Sequence, residues 1–305
     1  MARSAVSKSE TLHALLGPPL QDAEEETFLL FSQDIPTNNL GFVDATADNI
    51  DIEIAGHEYT IQQSPGLLNS NHARGTTGAV LWKVSPLLAT WLASCPTILA
   101  DLHALHPDSV VAELGCGLAG LIGQVLSQSV QRYILTDQPS IVRHLRAALG
   151  MLDGPPRAKT RGSKNKKSST PGRQDVLQVM ALDWEKDDAM NLRAALPGNA
   201  QIDLLILCDC VYNEYLVKPL VQTCVDACRL GHGNEHEDGD VNRSPTVVLV
   251  AQQLRSDTIF ELFLETMIEE FEVWRVPEGR IPADLGANSG YAVHLAILRG
   301  GRART

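Results

Sequence analysis

The chain predicts an α/β fold: a mostly parallel sheet with helices on both faces, an antiparallel last strand, and an N-terminal β-hairpin extension. Three observations predict it. Short, almost wholly apolar runs of strand length alternate with longer runs of helical period, the pattern of buried parallel strands and crossover helices. A glycine-rich turn, Gly115-Cys116-Gly117, joins the first of these strands to an apolar, helix-like run. The last two strand-like runs, Phe271–Val276 and Tyr291–Leu298, have no helix between them, so they pair antiparallel.

Taken in order, residues 1–23 are polar and read as a disordered N-terminus. Residues 24–84 form an extension in which Asp51–Ile61 alternates apolar and polar on either side of Ala55-Gly56, a β-hairpin pattern. The main domain, 85–305, opens with Ser85-Pro86 capping a helix through Leu87, Leu88, Trp91 and Leu92. Strand Val110–Leu114 follows, then the glycine turn and a helix with Leu121, Ile122, Val125 and Leu126. Strand Arg132–Thr136 stops at Asp137, and helix Ser140–Leu149 comes next. The 154–173 insert is Pro/Gly/Ser/Lys-rich, with seven cations and no acid, and reads as a disordered loop. Strand Leu177–Leu182 ends in Asp183-Trp184, and strand Ile202–Cys208 ends in Asp209-Cys210-Val211-Tyr212. A second, acidic insert, 231–245, precedes strand Thr246–Ala251. Helix Asp257–Glu270 then turns Ile259, Phe260, Phe263, Leu264 and Met267 to one side, ahead of the two closing strands. The strands number seven.

The candidate site lies at the carboxyl ends of four successive strands, where ligands of open α/β sheets sit. Gly115 and Gly117 remove the side chains that hold a ligand away from backbone, and a following helix N-terminus supplies free N–H groups. The spacing satisfies G-x-G-x-x-G through Gly120, so the turn alone does not separate a dinucleotide from S-adenosylmethionine. Glu113 ends the strand before it, and Asp137 is positioned to accept hydrogen bonds from both ribose hydroxyls. The tip carrying Asp183-Trp184 lies near an adenine ring, where the indole or the carboxylate borders the base; Cys208 lines the cleft with its backbone, and Trp82 stands at the mouth after the glycine-bearing stretch 75–78.

At these positions the chain resembles a known family. Glu113-Leu114-Gly115-Cys116-Gly117, Thr136-Asp137, Asp183-Trp184 and Asp209-Cys210-Val211-Tyr212 are similar to motifs of the seven-strand, Rossmann-like S-adenosylmethionine-dependent methyltransferases. The branch with D-x-x-Y/F after the fourth strand methylates lysines of non-histone proteins. Glu24–Pro36 and Gly75–Pro86 resemble the fungal ribosomal lysine methyltransferase 5 family, whose members modify a protein of the large ribosomal subunit. The resemblance runs from about residue 24 to about 299. It implies methyl transfer to a lysine amine, with Trp82, Glu113, Gly115, Cys116, Gly117, Asp137, Trp184 and Cys208 around the cofactor. It also implies catalytic roles for Asp209, which orients the lysine or accepts its proton, and for Tyr212, part of the lysine channel. Ala119 departs from the family pattern where a third glycine is common, and Arg146-Ala147-Ala148 where an asparagine is. The rival reading, an NAD-dependent oxidoreductase, lacks a hydride-transfer constellation. A silent cofactor-binding scaffold fits poorly with intact Asp209 and Tyr212.

Composition bounds the partners. With 305 residues and 44% hydrophobic content, the chain buries one large core and is not globally disordered. No apolar run reaches the roughly 18–20 residues of a membrane span, and no signal-peptide core opens the chain, so a cytoplasmic enzyme is expected. The six cysteines sit mostly in apolar patterns, like reduced thiols. Cys208 and Cys210 alternate along a strand and no C-x-x-C is present, so no metal is expected. The net charge is −12, and setting aside the seven cations of 154–173 leaves −19 on the rest. Such a body repels phosphates and attracts basic proteins, so a basic protein substrate is expected and direct nucleic-acid binding is not.

Overall fold

Within the 1–23 segment where disorder is expected, the first described residues form a helix. Lys8–Leu16 (α1) starts at a capping box: Ser7 Oγ accepts from Glu10 N, and Glu10 Oε2 accepts from Ser7 N at 2.8 Å. It carries Leu12 fully into the core, and Trp274 Nε1 donates to Gly17 O at 3.0 Å behind it. Average polarity over 1–23 hides the Ser7-x-x-Glu10 signal that starts this helix. The computed structural model describes residues 7–36, 41–68, 77–151, 176–230 and 244–300; the 154–173 insert and 231–243 of the second lie outside them.

Asp22 caps Ala23–Phe31 (α2), accepting from Glu25 N at 3.1 Å. Asn49–Ile54 (β1) and His57–Gln62 (β2) form the expected hairpin, paired from Ile54–His57 to Asn49–Gln62. Its two turn residues, Ala55 (φ 51°) and Gly56 (φ 76°), adopt the left-handed conformations of a tight hairpin turn. After Pro65–Leu68 (α3), helix Val84–Ala93 (α4) buries Leu88, Ala89, Trp91 and Leu92, and Thr97–Asp101 (α5) follows. The extension is not a separate body: Leu12, Ile54, Tyr59 and Ile61 share one core with α4 and the main sheet.

The main sheet holds Val110–Leu114 (β3), Arg132–Asp137 (β4), Leu177–Ala181 (β5), Leu204–Cys208 (β6), Val247–Gln253 (β7), Phe271–Arg275 (β8) and Tyr291–Leu298 (β9). Their order is β5-β4-β3-β6-β7-β9-β8. The first five are parallel, and β9 pairs antiparallel with both β7 and β8. Both faces of the central strands are covered, which is why they read as continuous apolar runs. Alternation sends Val111, Ile206 and Leu249 to one face, under α4 and Leu121–Leu126 (α6). Ala112, Leu205 and Val250 face the other way, under Glu214–Arg229 (α8), Asp257–Glu270 (α9) and α2. Pro139–Ala148 (α7) turns Val142 and Leu145 toward the α4 side.

One polar contact stitches α2 to the far end of the chain. Glu26 is buried, accepts from His294 Nε2 at 2.9 Å and stands 3.5 Å from Arg275 Nε. Burial pushes its carboxyl up, but His294 and Arg275 more than offset this and hold it below the usual carboxylate range. Among the described residues, no helix is long and apolar enough to cross a membrane, and no His/Cys/Asp/Glu group is arranged to hold a metal ion. All six cysteines are free thiols, five of them buried.

Candidate active site

Because β3, β4, β5 and β6 run parallel, their carboxyl ends meet at one edge of the sheet, around one cleft. All ten candidates line it: Trp82, Glu113, Gly115, Cys116, Gly117, Asp137, Trp184, Cys208, Asp209 and Tyr212.

The glycine turn is built differently from the expectation. Gly115 (φ 71°) and Gly117 (φ 65°) occupy the left-handed region, as a sharp exit from β3 requires. A Cβ on Gly115 would stand 3.0 Å from Cys210 Sγ and 3.1 Å from Trp184 Cζ2, so the missing side chain lets the indole close on the turn. The amides, however, are not held out to a ligand. Cys116 N donates to Thr136 O (3.0 Å), Gly117 N to Asp137 Oδ2 (2.8 Å), and Leu118 N to Gly78 O (2.8 Å). Helix α6 starts only at Leu121 and has six residues. Three consecutive N–H groups are thus consumed inside the protein, and the phosphate cradle of a dinucleotide site is not formed by them.

Two buried carboxyls set the charge of the cleft. Asp137 accepts from Gly117 N on one oxygen and from Gln138 N (2.7 Å) on the other, which fixes its plane and leaves each oxygen able to accept again. Burial raises it to about 6 against the pull of those two N–H groups. Glu113 accepts from Tyr133 OH at 2.7 Å. Burial raises it to about 7; the Tyr133 hydrogen bond opposes the rise and the nearby Asp137 charge adds to it. Such a pair suits a cationic guest.

At the tip of β5, Asp183 holds its own turn: its Oδ1 accepts from Glu185 N, and its Oδ2 from Lys186 Nζ. Asp183 and the adjoining indole both line the cleft. Trp184 Nε1 is buried and has no hydrogen-bond partner among the described residues. A buried, unsatisfied donor at a cleft is the place where a ligand acceptor fits. The orphaned indole N–H, the glycine cradle and the paired carboxyls together fit the adenosine and sulfonium parts of S-adenosylmethionine.

Asp209 leaves β6 with φ 59°, strained for a non-glycine, and its N donates to Ala251 O at 2.8 Å. Both of its carboxylate oxygens are engaged. Arg255 Nη1 and Nη2 reach Oδ1 and Oδ2 at 2.7 and 2.6 Å, and Gln252 Nε2 donates to Oδ1 at 3.0 Å. Whether Asp209 orients the lysine or accepts its proton, it does so from a carboxylate whose plane Arg255 and Gln252 fix. Gln252 also braces the D-x-x-Y turn, accepting from Val211 N at 2.9 Å and donating to Val211 O. Tyr212, half-buried, and Leu216 form the apolar rim beside it. Opposite, Trp82 packs on Phe42 (centroids 4.6 Å apart) and under Arg255.

Gln252, Gln253 and Arg255 are site residues that sequence reasoning missed. Their signal was present: two amides and a cation ending an otherwise apolar strand, at the same sheet edge as the other motifs. No spacing rule links them to Asp209, 43 to 46 positions earlier.

Comparison with known proteins agrees. A family model described as lysine methyltransferase matches residues 61–232, over half of the chain. "Ribosomal lysine N-methyltransferase 5" of Zygosaccharomyces rouxii is 27% identical over 71% of this chain and 72% of its own length. The protein of the same name from Eremothecium gossypii is 30% identical over 70% of this chain and 73% of its own. A "diaminohydroxyphosphoribosylamino-pyrimidine deaminase" of Schizosaccharomyces pombe is 26% identical over 83% of this chain but only 53% of itself.

Proposed function

The chain belongs to the lysine methyltransferase family, and from that premise we propose that it methylates a lysine of a basic large-subunit ribosomal protein in the cytoplasm. Its methyl donor is S-adenosylmethionine. The observation that favours this cofactor over a dinucleotide is the glycine turn: amides 116 to 118 are satisfied internally, while two buried carboxyls face a guest that carries positive charge. The acidic chain, −12 overall, supports a basic protein as the acceptor.

In this reading Asp137 holds the ribose hydroxyls, Trp184 borders the adenine, and Glu113 faces the cationic end of the cofactor. The cofactor supplies an already activated methyl group, so the protein contributes alignment and exclusion of water. Tyr212 and Trp82 wall an apolar passage for the lysine stem, and Asp209 orients its nitrogen. Free lysine has a pKa of about 10.4, so the passage also favours the neutral amine by desolvation.

Two experiments test this. Titration calorimetry with S-adenosylmethionine and with NAD should give heat with the first alone. Mass spectrometry of ribosomal proteins from a deletion strain should find one large-subunit lysine that has lost its methylation. An unchanged ribosomal methylation map would reject the proposed substrate class.

A further inference from the structure

The loop after β7 adds a cation that ties two walls of the cleft together. Arg255 makes a two-point contact to Asp209, reaches Gln253 Oε1 at 2.7 Å, and stacks 4.7 Å from the Trp82 ring centroid. Its side chain is 25% exposed and that of Asp209 is 3% exposed. A planar guanidinium satisfies a carboxylate with its edge and an aromatic ring with its face; an ammonium does not do both.

An unpaired carboxylate beside an entering lysine would favour the ammonium ion. Methyl transfer requires the nitrogen lone pair, so that ion has to release a proton to solvent first. We propose that Arg255 is a positioning residue that cancels the charge of Asp209, so that this carboxylate orients the substrate lysine without holding it in the ammonium form. The proposal rests on the reading of Asp209 and Tyr212 as the border of the lysine passage.

The other groups facing Asp209 do not supply that cancellation. From β9, the Tyr291 phenol is pushed up by burial and then by Asp209 itself, so it stays neutral. The flanking thiols of Cys208 and Cys210 are held well above their usual value by burial, and stay neutral too. Glu113 and Asp137, on the neighbouring strands, are carboxyls raised to about 7 and about 6, chiefly by burial, and supply no positive charge.

The test compares pH profiles of kcat/KM for wild type, Arg255→Gln, Arg255→Lys, Asp209→Asn and the Arg255→Gln/Asp209→Asn pair. The probe is total large-subunit ribosomal protein from a strain lacking the enzyme. Arg255→Gln should move the rising limb about one unit to higher pH, with the rate recovering toward wild type at the alkaline end. Arg255→Lys should shift it less, and the double variant should follow Asp209→Asn. A second readout needs neither cofactor nor turnover: NMR titration with Nα-acetyl-lysine amide should show about fivefold tighter binding in Arg255→Gln, and no change with the norleucine analogue. Should Arg255→Gln fail to fold, Arg255→Lys carries the test, because a single-point ammonium contact offsets the carboxylate less closely than the two-point guanidinium contact and the shift keeps its sign at smaller size. A rate loss equal at every pH, with unchanged lysine-amide affinity, would make Arg255 a structural brace and overturn the proposal. If Asp209→Asn is slow while the Arg255→Gln profile is unshifted, only this proposal falls. Full activity in Asp209→Asn would instead remove the underlying reading of Asp209.

Discussion

Cofactor affinity should fall steeply between about pH 8 and about pH 6, because Glu113 must ionise to face the cationic end of the cofactor and Asp137 to accept from its ribose hydroxyls. Glu113 titrates at about 7 and Asp137 at about 6, both raised by burial. If the complex takes both as carboxylates, the protonated fractions cost about 20-fold in affinity over that range, or ~1.8 kcal/mol, most of it from Glu113. Binding at about pH 7 should release roughly 0.6 of a proton. Titration calorimetry in two buffers of different ionisation enthalpy reads both quantities. Glu113→Gln should reduce the pH effect to about twofold, the share of Asp137. The same raised values give the ligand-free fold the opposite dependence. Its stability contribution from these groups is fully present below their unfolded values and is lost as pH rises through about 6 and then 7. Affinity that is flat with pH, with no proton released, would refute the assignment of a cation to this pair.

Three further outcomes follow from other parts of the molecule. Gly115→Ala puts a Cβ at φ 71°, 3.0 Å from Cys210 Sγ, and should cost about 1–2 kcal/mol, seen as a melting temperature lower by a few degrees, together with weaker cofactor binding. An unchanged melting curve would mean the turn has slack that the geometry does not show. Asp137→Ala should weaken S-adenosylmethionine binding by about 2–3 kcal/mol in a folded protein; equal affinity by calorimetry would take Asp137 out of the site. Glu26→Gln should destabilise by about 1–3 kcal/mol near neutral pH, because His294 and Arg275 lose their carboxylate. Since the Glu26 carboxyl is depressed in the fold, that stabilisation is present above its unfolded value and disappears as pH falls, so the variant's acid unfolding limb should be shallower.

The amino-acid order alone determined the alternation of strands and helices, the glycine exit at Gly115 and the four polar strand tips, since each is written in neighbours a few residues apart. Apolar runs marked all seven main-sheet strands to within two residues, because a strand buried on both faces tolerates little else. The motifs likewise pointed to one cleft, since parallel strands must bring their carboxyl ends to the same edge. Helix α1 was legible too, but only at its cap, and averaging over 1–23 erased it. Other features belong to the tertiary structure. Whether the amides of the turn face a ligand or the protein depended on where Gly78, Thr136 and Asp137 came to rest. The partner of Asp209 was chosen by the register of β7 beside β6, which delivers Gln252, Gln253 and Arg255 to its carboxylate. Glu26 found His294 across 268 positions because α2 and β9 share one buried face. Periodicity reports which side of an element is buried, whereas only the packed sheet decides which buried polar groups meet.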